Sequence, residues 1–566
     1  MTAPPRVPAV LVLGAGVNGC AVARELLLGG VSVCVVDSND VATGATAKSS
    51  RLIHGGLRYL EYGEFDLVRE SLGERARLLR LAPQYVQPLR LYIPAAKRMG
   101  GLLDAARRFV GWSVPADGER SPRGLCLIRL GLWLYDLYAR KRVLPRHQTH
   151  RVGEPDTPRV NAARFRWLAS YSDAQMLYPE RFVLALLEDA RQLAAKQDLD
   201  FRLLPYHHVR MRENVAEIDP TGEPSRPAMR FQPAAVVNAT GAWADLTLSQ
   251  LGVPSPRLTG GTKGSHLLVR SEGLSQALAG QGVYAEAADG RLVFVLPAGP
   301  CILVGTTDLP FEGDPGEAIA SEEEINYLMR MTAEVFTDVH LAREDVDMHY
   351  SGVRPLPSAE GKAPGAITRR HEIHETDFHG VPVYTLVGGK LTTCRTLAEQ
   401  VADRIFGTLG TRRVADSRDR AIPGGEDYPI DRGALHAEWE RLAQRFSVEI
   451  GTIEAVWSLV GTRTAAILST LPEEEPQLLD GTPLPIGFAR WVIREEWVSR
   501  LEDLVERRLM LLYHSGLTRK CLRQLAGLLV EAGRLDAVEV DSCVARTRDR
   551  LQHYYGKRVT AEIAID

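Results

Sequence analysis

The sequence predicts an α/β protein with a parallel dinucleotide-binding sheet at its front, a second strand-rich layer, and a helical C-terminal domain. Three observations carry this expectation. An apolar run, Val10–Leu13, leads through the glycine turn of residues 14–19 into a helical pattern and a second apolar run. Residues 200–310 contain short apolar stretches between turn residues, and beyond about residue 409 the apolar period becomes helical.

Each element follows from its pattern. Val10, Leu11, Val12 and Leu13 are continuously apolar, as suits a strand buried on both faces of a parallel sheet. Val22, Leu26 and Gly29 recur at helical spacing, and Val31–Val36 forms the next buried strand, ending at Asp37. Leu292–Leu296 and Ile302–Val304, joined through Pro297–Pro300, predict an antiparallel hairpin. In the tail, Ile493, Trp497, Leu501, Leu504 and Val505 follow one helical period and Leu522, Leu525 and Leu529 another, with Gly533 as a helix stop. Residues 410–566 are expected to form a separate helical domain.

Composition narrows the class. The chain has 566 residues, enough for three or four structural units. With 45% apolar and 25% charged residues and a mean hydropathy of -0.12, it reads as globular rather than disordered. Its 68 basic and 71 acidic residues leave a formal charge of -3, which argues against nucleic acid as a partner. Seven cysteines with no C-x-x-C pair predict no disulfide framework and a reducing compartment. Met1–Pro8 lacks the pattern of a secretory signal, and no stretch reads as a bilayer span. Charge is uneven locally: residues 97–151 hold 12 basic and four acidic residues, interleaved with Phe109, Trp112, Trp133, Tyr135 and Tyr138. That mixture suits either an anionic lipid interface or a solvated basic face beside a packed helix.

The most specific local motif is Gly14-x-Gly16-x-x-Gly19, placed between a strand and a helix, with Asp37 at the end of the following strand. The first glycine allows the turn, the second admits a pyrophosphate, and the third lets helix and strand pack closely. Phosphate charge would rest on the helix N-terminus, and Asp37 would accept from ribose hydroxyls. The fingerprint does not by itself separate FAD from NAD. Two further small-residue turns, at residues 236–243 and 388–393, spread the approaches over roughly 380 residues and favour the longer FAD. A helix starting near Lys390 would point its positive end at the flavin.

The blocks Gly14–Gly19, Ser49–Glu61, Lys263–His266, Gly305–Asp308, Tyr350–Leu356, Ala366–Arg369 and Gly388–Thr393 resemble, in wording and order, the FAD-dependent glycerol-3-phosphate dehydrogenases of the aerobic, quinone-linked type. The resemblance runs from about residue 8 to 405, most specifically through His54–Leu60, and continues weakly into the tail. It implies a Rossmann-like FAD-binding domain interleaved with an antiparallel-sheet substrate domain, as in glycine oxidase, and a helical cap. The expected division is 8–409 for the interleaved pair and 410–566 for the cap. FAD binding falls mainly in 8–95, 200–245 and 350–409, and the substrate domain mainly in 96–199 and 246–349.

The implied reaction is oxidation of sn-glycerol 3-phosphate to dihydroxyacetone phosphate, with a quinone acceptor at a membrane surface. The implied location is the cytoplasmic face of the inner membrane, peripherally, or the cytoplasm; a homodimer stays open and no metal is expected. Arg58, Tyr59, Arg354, Arg369 and Lys390 would bind substrate, since a phosphate dianion needs guanidinium forks and positive charge. His54, His266 and Arg354 are the catalytic candidates, His54 favoured as the base. Cofactor contacts are expected from Gly14, Gly16, Val17, Asn18, Gly19, Asp37, Ser38, Ser49, Ser50, Leu52, His54, Gly55, Gly56, Thr240, Gly241, Trp243, Gly389, Lys390, Leu391 and Thr392.

The chain departs from the family pattern in two places. Tyr171–Arg181 carries Glu180 directly beside Arg181, where the family has an acidic pair earlier, and Cys394 replaces a common aromatic. An oxygen-using oxidase of the same fold is the main alternative, and an amine or amino-acid oxidase a weaker one, because a carboxylate needs only one arginine.

Overall fold

The computed structural model describes residues 9–99, 124–139, 143–221, 229–286, 291–358, 368–471 and 477–560. Two large sheets organise them. The first has six strands in the order Glu372–Phe378, Val381–Val387, Ala235–Asn238, Val10–Leu13, Val33–Val36, Phe201–Leu204. All its pairs are parallel except the edge hairpin 372–387. Val10–Leu13 lies inside this sheet, and its alternation explains its uniform apolarity. Val10 and Val12 face the core under the helix Val17–Leu28, whereas Leu11 and Leu13 face a second core beneath a three-stranded layer formed by residues 207–231.

The second sheet has ten strands and is mixed, mostly antiparallel. Its spine is Thr262–Val269, paired on one side with Cys301–Gly305 and on the other with Val346–Arg354. The predicted hairpin is present as Leu292–Ala298 against Cys301–Gly305.

The chain crosses between sheets more often than a division by segments allows. Val86–Ala95, expected mainly with the dinucleotide part, pairs along its whole length with Trp167–Met176 in the larger sheet. Val346–Arg354 also belongs wholly to that sheet. Conversely, the helix Pro179–Gln197 buries Phe182, Leu186 and Leu193 in the core shared with Val17–Leu28.

The tail is not separate either. Residues 411–431 contain no helix and run back along the dinucleotide layer, where Arg413 pairs with Glu25 at 2.7 Å and Arg420 with Asp189 at 2.6 Å. Helices begin at Arg432; Arg432–Phe446 packs Leu442 in a small cluster with Ile453 and Trp457, and from Ile450 on the tail shares one continuous core with the larger sheet, holding Leu268, Leu296 and Met348 together with Val456, Leu504 and Leu525. The expected single period through 493–505 is interrupted: the helix Ile486–Glu495 stops, Trp497 turns through φ 50°, and the chain resumes at Leu501. The break frees the carbonyls of Glu496 and Trp497 to accept from Arg508. No helix among the described residues is long and apolar enough to cross a membrane.

Candidate active site

A cavity of about 1170 Å³ runs between the two sheets. Ligand pockets for a drug-sized molecule span roughly 300–1,000 Å³, so this one has room for a long cofactor and a small substrate together. One end is the glycine cradle. Gly14 has φ +97°, and a Cβ there would lie 2.7 Å from the Ala239 carbonyl oxygen; a Cβ on Gly19 would lie 2.0 Å from the Gly14 carbonyl oxygen. Strand and helix therefore touch only because both positions lack side chains. Gly14, Gly16, Val17 and Asn18 line the cavity, whereas Gly19 does not, its part being that contact. Asn18 Oδ1 is buried with no hydrogen-bond partner in the protein. Asp37 accepts from the amides of Ala15 and Asn39, and burial holds its carboxyl up to about 6.

Ser38, Ser49, Ser50, Leu52, Gly56, Thr240, Gly241, Trp243, Gly389, Leu391 and Thr392 also line the cavity. The glycine turn at 388–389 leads into a short turn of helix at Leu391–Thr393 and then the helix Cys394–Thr408, which packs Leu397, Val401 and Ile405 inward. Gly55 faces away from the cavity. Its amide donates to the Tyr135 hydroxyl at 2.8 Å, and that hydroxyl donates to Asp173 Oδ1 at 2.7 Å.

At the far end, Arg58, Tyr59, His54, His266, Arg354, Arg369 and Lys390 all line the cavity. Arg354 Nη1 meets Asp308 Oδ1 at 3.0 Å and its Nη2 donates to Thr306 Oγ1 at 2.9 Å; Arg369 lies 3.7 Å from the other Asp308 oxygen. Asp308 thus holds two guanidinium groups side by side. Lys390 Nζ donates to Ser71 Oγ at 2.7 Å and sits 4.6 Å from the centre of the Tyr59 ring. Burial lowers the Lys390 ammonium to about 7, although Glu70 and Glu64 pull the other way.

Both histidines are kept neutral. Burial, then the charges of Lys390, Arg75 and Arg369, press His54 down to about 3. Burial, then Arg354 and Arg51, do the same to His266. The backbone amide of His54 donates to Thr392 Oγ1 at 3.2 Å, and His54 lines the cavity. His266 stacks on Tyr350, bonds Ser50 Oγ through Nε2 at 2.9 Å, and has a buried Nδ1 with no partner in the protein.

Several residues escaped the sequence reading. Asp308 and Thr306 stand in a recognised block, but no local pattern marks them as arginine holders. Lys48 and, from the C-terminal helix, Arg550 and Tyr554 also line the cavity, and nothing in their neighbourhood signals it. The departure at Glu180 proves internal: its carboxylate takes Arg51 at 2.7 Å with both side chains buried, while Arg181 forks onto Glu496.

A dinucleotide cradle opening onto a cationic pocket defines an oxidoreductase that carries its own cofactor. The chain belongs to the FAD dependent oxidoreductase family, whose model matches residues 9–404, and FAD is its cofactor. The narrow cradle, the orphaned Asn18 oxygen and the volume of the cavity suit that molecule.

Among its relatives, the glycerol-3-phosphate dehydrogenase of Synechocystis sp. is 33% identical over 88% of each chain. The aerobic glycerol-3-phosphate dehydrogenase of Escherichia coli and the D-erythritol 1-phosphate dehydrogenase of Brucella abortus are each 30% identical, over 88% of this chain and 93% of theirs. The solved glycerol-3-phosphate dehydrogenase from Bacillus halodurans, complexed with FAD, shares the fold with a TM-score of 0.71 at 19% identity, over 97% of this chain and 95% of that one.

Proposed function

We propose that this flavoprotein oxidises sn-glycerol 3-phosphate to dihydroxyacetone phosphate and passes the electrons to a quinone at an anionic membrane surface. The observation that carries the reading is the meeting of Arg58, Arg354, Arg369 and Lys390 with two neutral histidines in the cavity that begins at the glycine cradle. A phosphomonoester dianion is the ligand such a cluster suits, because guanidinium forks match its oxygens and several positive charges are balanced at once.

Bound FAD supplies the acceptor for the C2 hydrogen, taken as a hydride at flavin N5. The chain's own residues do the rest. Arg354 and Arg369, aligned by Asp308, hold the phosphate together with Arg58 and Lys390. His54, neutral and open to the cavity, takes the proton of the C2 hydroxyl. Burial is the first cause of the low His54 basicity, and a dianion held by Lys390 and Arg369 offsets only the part that those cations add. Tyr59 and Thr392 orient the ligands, and His266, fixed by Ser50 and Tyr350, shapes the opposite wall.

The helix Leu125–Tyr138 supports the membrane and quinone part of the reading. Leu130, Trp133 and Leu137, spaced on one face, are 53%, 55% and 62% exposed, whereas Tyr135 on the inner face touches the amide beside His54. An apolar face flanked by basic sequence suits insertion among anionic headgroups. Of the basic aromatic stretch, Phe109, Trp112, Arg140, Lys141 and Arg142 lie outside the described residues.

Anaerobic mixing with glycerol 3-phosphate tests this. The yellow absorbance of the flavin should bleach and return on adding a quinone analogue. No bleaching rejects the substrate; faster bleaching by D-erythritol 1-phosphate, or by an amino acid, reassigns it. Rapid recovery with oxygen and none with the quinone makes the protein an oxidase.

A further inference from the structure

The C-terminal helices grip the outer face of the loop that walls the cofactor cavity. Residues 38–51 form no strand or helix, and residues 43–46 and 48–51 line the cavity. On the cavity side, Thr46 Oγ1 accepts from the Val17 amide at the start of the cradle helix at 3.1 Å. The other side is held by the tail. The Asp40 carboxylate, fully buried, accepts from Arg508 Nη2 at 2.8 Å and from Arg507, whose Nη1 and Nη2 go to Glu506 at 2.7 Å and Asp503 at 3.1 Å.

Glu506 in turn accepts from Arg550 at 2.6 Å and from the Tyr555 hydroxyl at 2.9 Å. Arg550 lies 4.9 Å from the centre of the Tyr554 ring, and Lys48 Nζ lies 5.9 Å from the same ring. At the end of the loop, Arg51 bonds the Tyr513 hydroxyl and the Glu180 carboxylate. Every charged group of this network except Arg550 and Lys48 is almost wholly buried, and those two side chains reach the cavity.

We propose that the C-terminal domain is part of the flavin site: Arg507 and Arg508, acting through Asp40, are positioning residues that hold the 38–51 loop in its cofactor-binding shape, and Arg550 and Tyr554 close the cavity over it. A loop without secondary structure loses conformational freedom when a ligand orders it. Contacts that order it beforehand remove that cost from binding and so raise affinity. The coupling is reciprocal, so FAD must stabilise the tail in return.

Two measurements test it. FAD titrated into apoprotein should bind Asp40→Asn roughly ten-fold or more weakly than the natural protein, with the variant folded by circular dichroism and thermal melting. In the natural protein, FAD should slow amide exchange in residues 38–51, 501–513 and 540–555 while leaving the helix Arg432–Phe446 unchanged, a contrast that general stabilisation would not produce. Wild-type affinity in the folded variant overturns the proposal, as does exchange in 501–513 and 540–555 that ignores the cofactor. If Asp40→Asn does not fold, the exchange result alone decides.

Discussion

At the scale of the residue, the substrate end of the cavity is an exercise in holding like charges together. Arg354 and Arg369 approach each other because Asp308 lies between them, and Lys390 tolerates the neighbourhood by giving up part of its basicity. Arg354→Ala should raise KM for glycerol 3-phosphate and depress kcat, a loss of about 1.5–3 kcal/mol, or roughly 10- to 150-fold in kcat/KM. Unchanged steady-state kinetics would remove Arg354 from the site.

Lys390 sets a pH dependence. Its cation is needed to hold the phosphate and is lost as pH rises through about 7, so kcat/KM should fall on the alkaline side of that value. Lys390→Arg, charged at every accessible pH, should move the fall upward; an unshifted profile assigns it to another group. The two histidines, both held near 3, contribute no step at ordinary histidine pH in the free enzyme.

Among the elements, the helix Leu125–Tyr138 has two faces with different tasks. Its inner residues Leu125, Ile128, Leu132 and Tyr135 pack on the larger sheet, so its outer apolar residues are not needed for folding. Replacing Leu130, Trp133 and Leu137 with serine should weaken sedimentation with anionic vesicles while leaving flavin content and melting temperature unaltered. Removing the positive charges between Arg140 and Arg146 should act in the same direction, at about 1 kcal/mol per charge. Vesicle binding that survives both changes rejects the membrane surface. Elements such as the first strand, the cradle helix and the 292–305 hairpin were legible because each is specified by its own few residues. The helical period of the tail fails at Trp497, where Arg508, 11 residues on, takes the carbonyls that a continuing helix would use.

In the whole molecule, buried ion pairs join parts that a linear division keeps apart. Arg181 forks onto Glu496 at 2.6 and 2.8 Å and also donates to the carbonyls of Leu459 and Arg508. Arg181→Met leaves Glu496 buried and unpaired, which should cost about 3–5 kcal/mol. Adding Glu496→Met should restore part of the lost thermal midpoint, because two apolar side chains no longer carry the desolvation of a lone carboxylate. A double variant as unstable as the single one would mean that the bonds to the carbonyls, not the ion pair, hold the joint.

By itself the amino-acid order determined the dinucleotide cradle: three glycines, two apolar strands and an acid within about thirty residues obey local steric rules, and a turn that has no room for a Cβ can be recognised without its surroundings. Only the tertiary structure decided that Asp308 sits between Arg354 and Arg369, that Glu180 serves Arg51, and that Arg550 and Tyr554 reach the cavity. Those neighbours come from separate segments of the chain, Asp308 standing 46 residues from Arg354 and Arg51 129 residues from Glu180. Their meeting depends on pairing register and on which faces are buried, and neither is written in any single stretch of the chain.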